Sequence, residues 1–299
     1  MDDNLNKNET PDIGNTVPGT LYVVATPIGN LADLSPRAAG ILASVDFIAA
    51  EDTRVTLKLL NHLALKKTVI SCYRHNEHAR TDKIISRIRD GENCALCCDA
   101  GTPAVSDPGE ELVRRARDAG IVVSPIPGPS AAIAALSASG MNTGRFCFEG
   151  FLPMNRKTRR NRLLSIAEQP DAVVLYEAPH KLRSTLADLF EFLGDRELFI
   201  AREITKYHEE FKKTTLSAAV VYYEENLPRG EFVLIVSGKT EDRIQEYSVD
   251  DAVDIALSFI EEGRSKSEAA KGAAELTGLP RSEIYRGVLE KKNENNSFI

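Results

Sequence analysis

Short apolar runs alternate with helical spacing through most of the chain. Leu21 to Ala25, Phe47 to Ala50, Thr68 to Tyr73, Cys94 to Cys98 and Ile121 to Ile126 have the length and the dense apolar character of buried strands. Between them, Glu77 to Arg89, Glu110 to Ala119 and Ser130 to Ser139 carry helical patterns, with Ile84, Ile85 and Ile88 on one face. Ser35-Pro36 makes an N-cap and first-turn pair that opens another helix. Five such strands alternating with helices predict a mostly parallel sheet covered on both sides.

Gly140 to Arg145 interrupts this rhythm, and a more mixed pattern follows. Strands are expected at Phe146 to Phe151, Ala172 to Tyr176, Leu198 to Ala201 and Phe232 to Ser237. Leu182, Leu186, Leu189, Phe190 and Leu193 fall on a helical face, and Tyr207 to Leu216 reads as a strand followed by a helix to Asn226. Ser248 and Ser265 look like N-caps, and Leu276 to Ser282 like a turn between short helices. The expected fold is α/β: a disordered arm over 1–18, a mostly parallel domain over 19–142, a mixed-sheet domain over 143–240 and a small helical unit, helix-turn-helix-like, over 241–299.

The 299 residues, 42% hydrophobic and 27% charged, supply enough apolar mass for a full core, so wholesale disorder is excluded. No apolar run approaches the ~20 residues of a membrane helix. Met1 to Glu9 is polar and acidic, so neither a secretory leader nor a membrane partner is expected and the chain is assigned to the cytoplasm. Five cysteines without regular spacing point to reduced thiols. The net charge of -7 opposes nucleic-acid binding only until its position is considered. Residues 1–18 hold four acids against one base, and 241–299 hold 13 acids against 8 bases, leaving the middle nearly neutral. Within that middle, Arg156, Lys157, Arg159, Arg160 and Arg162 crowd five bases into seven positions. They form either a solvated helix face or a contact for a polyanion, whose phosphates act over about a Debye length.

The usual phosphate loops are missing. Thr26-Pro27-Ile28-Gly29-Asn30 after the first strand lacks the dinucleotide glycine fingerprint, and Gly238-Lys239-Thr240 lacks the preceding glycine at P-loop spacing. Cys94, Cys97 and Cys98 lie in an apolar strand with no second pair at zinc spacing, His75 and His78 have no third ligand in sight, and no metal is expected. There is no Gly-x-Ser-x-Gly elbow. What remains is a pair of loops rich in Gly, Pro and hydroxyl residues at strand ends, Asp99 to Gly109 and Pro125 to Ala131. Glycine lets backbone approach closely and proline stiffens it, so such loops can shape a pocket from main-chain groups for a ligand without phosphates. Tight turns alone would give the same composition.

Leu21 to Leu31, Ala50-Glu51-Asp52-Thr53-Arg54, Tyr73-Arg74-His75-Asn76-Glu77, Asp99 to Gly109, Pro127-Gly128-Pro129-Ser130-Ala131 and Tyr176-Glu177-Ala178-Pro179-His180, taken in order, resemble the tetrapyrrole methylase superfamily. The resemblance covers roughly residues 19 to 290. Asp99-Ala100-Gly101-Thr102-Pro103 stands where the tetrapyrrole enzymes typically carry a Gly-Asp-Pro turn, which points to the branch that acts on ribosomal RNA. The resemblance implies a homodimeric enzyme that uses S-adenosylmethionine to methylate the ribose 2'-hydroxyl of a cytidine in the decoding region of 16S RNA or of the 30S subunit, with no DNA partner. It carries the cofactor site onto Thr26, Pro27, Asp99, Ala100, Gly101, Thr102, Pro103, Ser106, Ser130, Ala131, Glu177, Ala178 and Pro179, with Phe232 completing the adenosine side. Methyl transfer to a hydroxyl also needs a proton acceptor and a cation for the forming alkoxide, and Glu51, Arg54, His75, Glu77, Arg202 and Lys206 stand at or soon after strand ends as candidates. A tetrapyrrole or other small-molecule methyltransferase would share the cofactor loops. A non-catalytic RNA-binding assembly protein would keep only the basic patch.

Overall fold

The computed structural model describes residues 16–72, 77–239 and 247–296, with the backbone alone for 77–79 and 292–296. Two compact units result, one running to Lys239 and the other starting at Thr240. The first holds two five-stranded sheets.

In the first sheet, β1 (Thr20–Val24), β2 (Phe47–Ala50), β3 (Thr68–Ser71), β4 (Cys94–Cys97) and β5 (Val122–Ile126) lie in the order β3-β2-β4-β1-β5, all parallel. Alternate residues feed two cores, as a sheet buried on both faces requires. Leu21, Phe47 and Leu96 point toward α3 (Glu77–Arg89) and α4 (Glu110–Asp118). Tyr22, Ile48 and Ala95 point toward α1 (Pro36–Ser44) and α2 (Thr53–His62). Ser35 caps α1 through the Ala38 N–H, with Pro36 in its first turn. Helix α2 went unread in the sequence, although Asp52 caps it and Thr56, Leu59 and Leu60 form its buried face. The cysteines at 94, 97 and 98 are buried.

Helix α5 (Ala131–Ser139) follows β5 but packs on the second sheet, where Ala132, Ala135 and Leu136 meet Val174, Phe199 and Val233. Its row of alanines permits that approach. The second sheet orders β6 (Phe146–Phe151), β7 (Ala172–Glu177), β10 (Phe232–Val236), β8 (Glu197–Arg202) and β9 (Glu210–Thr215) as β6-β7-β10-β8-β9. β6 pairs parallel with β7, and the remaining pairs are antiparallel. Helices α6 (Arg156–Ala167), α7 (Pro179–Leu193) and α8 (Leu216–Glu225) cover the other face through Leu163, Leu186 and Leu216. The strand read from Tyr207 begins at Glu210, because residues 203 to 208 are spent in a tight connection in which Glu203 and Thr205 take left-handed φ of 52° and 68°.

The second unit is a bundle of α9 (Val249–Glu261), α10 (Lys266–Thr277) and α11 (Arg281–Asn296) around Val253, Ala256, Ala270, Ala273 and Ile284. Ser248 and Ser265 both form capping boxes, with Asp251 and Glu268 respectively. The helices span 13, 12 and 16 residues, so they are not the short helices the sequence led us to expect.

Candidate active site

The carboxyl ends of β1, β4 and β5 release three loops that are tied to one another. Thr26 is buried and exchanges two main-chain bonds with Gly101, N–H to carbonyl at 2.8 and 3.0 Å, while its hydroxyl donates to the Cys98 carbonyl at 3.2 Å. The Thr102 hydroxyl donates to the Pro129 carbonyl at 3.1 Å and joins the second loop to the third. Gly128 is required by space, since a Cβ there would stand 2.9 Å from that of Ala25. Ala104 and Ser106 hold left-handed φ of 64° and 62°, a conformation that costs a non-glycine residue about 1–3 kcal/mol and persists only where its surroundings impose it. Gly150, at the β6 bulge, makes room for the Ser106 hydroxyl: a Cβ would lie 2.2 Å from it.

These loops and the second sheet enclose a cavity of about 360 Å³, within the range of small-molecule sites. Ala100, Gly101, Thr102, Ser130 and Ala131 line it from the first sheet's loops; Glu177, Ala178, Pro179 and Phe232 line it from the second. Thr26, Pro27, Asp99, Pro103 and Ser106 do not line it. Of these, Thr26 ties the loops from beneath, and Ser106 packs against Gly150. Val105 and Glu231, inside the stretches 99–106 and 230–232 that the resemblance assigned to the cofactor, line it too, whereas Ile28, Asp107, Phe151, Tyr176, Ile204 and Val233 also line it and were not expected.

Glu177 lines the cavity in a particular way. Along β7, Val174 and Tyr176 face the α5 side whereas Val173 and Leu175 face α6 to α8, so alternation turns the Glu177 side chain away from the cavity. Its carboxylate accepts from the Ala178 N–H at 2.9 Å and from the Thr185 hydroxyl, and that hydroxyl in turn accepts from Arg159 at 2.9 Å. Glu177 therefore meets the cavity through its main chain. Arg159 also donates to Asp188 at 2.6 Å, which withdraws it from the solvent-facing basic patch. Arg156, Lys157, Arg160 and Arg162 remain exposed on α6, although Arg162 reaches Glu149 at 3.3 Å and Arg160 covers the Phe192 ring. Arg156 and Lys157 occupy the first turn of α6, where the helix dipole disfavours cations.

Among the proton-transfer candidates within the described residues, Lys206 alone lines the cavity. Its ammonium bridges Glu203 at 2.8 Å and Glu231 at 2.9 Å. Burial works against its charge, but the two carboxylates outweigh that and hold its pKa above the usual lysine value. Lys206 is thus a fixed cation rather than a base. Glu51, Asp52, Arg54 and Asp99 form a separate cluster off the lining. Asp52 is pulled down to about 2 by the Arg54 guanidinium, which it meets at 2.6 Å; its main-chain N–H donates to Asp99, and that of Asp99 donates to Glu51 at 3.4 Å. Arg202 is engaged by Glu210 at 2.9 Å and by the Arg229 carbonyl at 3.3 Å, also off the lining. His75 and the Glu77 side chain lie outside the described residues. Tyr176 accepts from the Ala132 N–H at 3.2 Å, and burial pushes its phenol up, so it stays protonated and anchors the start of α5. Among the described residues no group of His, Cys, Asp and Glu could hold a metal ion, and no helix is long and apolar enough to cross a membrane.

An all-parallel sheet sharing a strand-end cavity with a mixed sheet, its rim built from glycine-proline turns, defines a class of α/β protein that binds a small organic molecule between two sheets. Residues 20–220 match the family model described as Tetrapyrrole (Corrin/Porphyrin) Methylases. A protein of Synechocystis sp. named ribosomal RNA small subunit methyltransferase I is 48% identical over 91% of this chain and 98% of its own length. Proteins of the same name from Escherichia coli O157:H7 and Bacillus subtilis are each 41% identical, over 92% and 89% of this chain and 96% and 93% of theirs. The chain belongs to the tetrapyrrole methylase family and, within it, to the group that carries this name. Solved structures agree on the fold: diphthine synthase has a TM-score of 0.59 at 16% identity over 74% of this chain and 90% of its own, and uroporphyrin-III-C-methyltransferase from Thermus thermophilus 0.52 at 22% over 73% and 94%.

Proposed function

We propose that the chain is an S-adenosylmethionine-dependent methyltransferase of small-subunit ribosomal RNA, acting in the cytoplasm as a homodimer on the ribose 2'-hydroxyl of a cytidine in the decoding region. The observation that carries the cofactor assignment is the make-up of the 360 Å³ cavity. Its walls are apolar at Ile28, Val105, Phe232 and Val233, and the segments Ala100 to Thr102 and Glu177 to Pro179 complete the lining. Such a site suits an adenosyl amino acid, whose ring needs apolar walls and whose sugar and amino acid ends need carbonyls and amides; the absence of a glycine phosphate loop agrees with a ligand that has no pyrophosphate. The names carried by relatives at 41–48% identity support the RNA substrate.

The donor, when bound, supplies a methyl group on a positively charged sulfur. The residues of the chain supply the rest. The tied loops hold the donor rigidly beside the acceptor, and orientation of that kind is worth up to roughly 7–11 kcal/mol. Lys206, kept charged by its two carboxylates, stabilises negative charge as it develops on the acceptor oxygen. The exposed bases of α6 meet RNA phosphates, and Arg159 braces Glu177 instead.

Two measurements test this reading. Calorimetry with S-adenosylhomocysteine should give one saturable site per chain. Labelled S-adenosylmethionine should then transfer its methyl to small ribosomal subunits from cells lacking the protein, and not to a porphyrinoid. Transfer to the porphyrinoid alone, or no binding at all, would overturn it.

A further inference from the structure

The acceptor hydroxyl must lose a proton, and among the described groups expected from the sequence to take it none serves the cavity as a base: Glu51 lies off its lining and Lys206 is held protonated, while His75 and the Glu77 side chain lie outside the described residues. The ionisable groups that do line it, among the described residues, are Asp107, Tyr176, Glu177, Lys206 and Glu231. Glu177 turns its carboxylate to the opposite face of β7, and Tyr176 is kept protonated by burial. Glu231 is 77% exposed in its side chain and engaged with Lys206. Asp107 differs from all of these. It follows the left-handed Ala104 and Ser106, and the turn is closed by the Ala104 N–H donating to the Pro108 carbonyl at 3.3 Å. That strained turn sets Asp107 in the cavity lining beside Cys98 and Tyr176: the Cys98 thiol donates to the Ala100 carbonyl at 3.3 Å, and the negative charge of Asp107 helps to hold both the thiol and the Tyr176 phenol protonated.

We infer that Asp107 is the general base of the reaction, the group that accepts the proton of the attacking hydroxyl. The inference rests on the proposed methyl transfer and adds to it the residue that activates the acceptor. As the new oxygen–carbon bond forms and the carbon–sulfur bond breaks, with its electron pair passing to sulfur, the hydroxyl proton moves to an Asp107 carboxylate oxygen and later to water. The strain of the loop has a use in this account, because a relaxed turn would leave the carboxylate free to swing toward solvent. The neighbours of Asp107 on the adjoining elements are the Cys98 thiol from the end of β4, with Glu51 acting on that thiol, and the Tyr176 phenol from β7; Lys206 and Glu231 line the same cavity. Thiol, phenol and ammonium titrate above neutrality, so among these neighbours only a carboxylate gives an acid limb, and it is the loss of that limb in the Asn form that assigns it to Asp107.

The test uses the full chain with Asp107→Asn, Asp107→Glu and Glu231→Gln. For each, S-adenosylhomocysteine affinity is measured by calorimetry, and single-turnover methylation of undermethylated small subunits is followed from mildly acid to mildly alkaline pH. Asp107→Asn should bind within about threefold of wild type, lose at least ~100-fold in rate and lose the acid limb of the profile. Asp107→Glu should recover part of the rate and keep that limb, which separates proton transfer from a folding defect. Glu231→Gln should retain the limb. An Asp107→Asn enzyme that methylates within about threefold of wild type, keeps the acid limb or fails to bind S-adenosylhomocysteine would overturn the assignment, as would an Asp107→Glu enzyme no faster than the Asn form. A wild-type chain that binds S-adenosylhomocysteine yet methylates no ribosomal particle would overturn the underlying reading instead.

Discussion

Two charged clusters stand at strand ends in this molecule, and each sets one base among carboxylates. In one, Lys206 is clasped by Glu203 and Glu231 beside a cavity; in the other, Arg54 lies 85% exposed against Asp52, next to Glu51 and Asp99. The Lys206 cluster is partly buried, and a Cβ on Gly29 would stand 2.5 Å from the Lys206 side chain, so its geometry is fixed from both sheets. The Arg54 guanidinium sits in water, where a charge pair contributes little. Position relative to a low-dielectric cavity, more than residue identity, separates a group that can do chemistry from one that caps a helix.

That contrast can be broken in several ways. Val105 lines the cavity while remaining 49% exposed, so Val105→Trp should fill the mouth without disturbing a core; S-adenosylhomocysteine affinity should drop at least ~100-fold with little change in melting temperature, as expected when a ring displaces bound ligand surface. An unchanged affinity would put the ligand elsewhere. Lys206→Met removes one charged donor and should slow single-turnover methylation about 10- to 100-fold while binding persists, the usual worth of a charge-assisted hydrogen bond. A smaller loss would reduce Lys206 to a structural clasp. Replacing both Arg156 and Arg160 with Ala should flatten the plot of log RNA affinity against log salt by roughly 1.4–1.8 units if each meets a phosphate. An unaltered slope would return α6 to an ordinary solvated face. Arg54→Ala should change the methylation rate less than about threefold, because an exposed pair carries little energy; a loss comparable to that of Lys206→Met would erase the distinction between the two clusters.

Much of this architecture was legible in the sequence. The strands at Phe47–Ala50 and Phe146–Phe151 were read to the residue, and the parallel first sheet followed from unbroken apolar runs. Glycine and proline marked the loops that line the cavity, because those residues announce backbone geometry directly. The direction of a side chain within a loop is not announced. Asp107 stood inside a loop already singled out, but the turn that sets it in the cavity lining contains two left-handed residues that are not glycine, and no residue type signals them. Glu177 was expected at the cavity and lines it, but that its carboxylate turns to the other face follows only from counting alternate residues from Leu175. The pairs Lys206–Glu231 and Arg159–Asp188 join positions 25 and 29 apart in the chain, and only the folded sheets bring them together. Helix α2 escaped notice because its buried face, Thr56, Leu59 and Leu60, is short and begins with a hydroxyl.

The central claim is that the cavity between the two sheets holds the methyl donor, and the most direct measurement is a crystal structure of the full chain grown with S-adenosylhomocysteine. The account predicts the ligand against Ala100 to Thr102, Ala131 and Ala178, with its adenine near Phe232. Ligand bound at another surface, or those residues closed on one another with the ligand excluded, would contradict it.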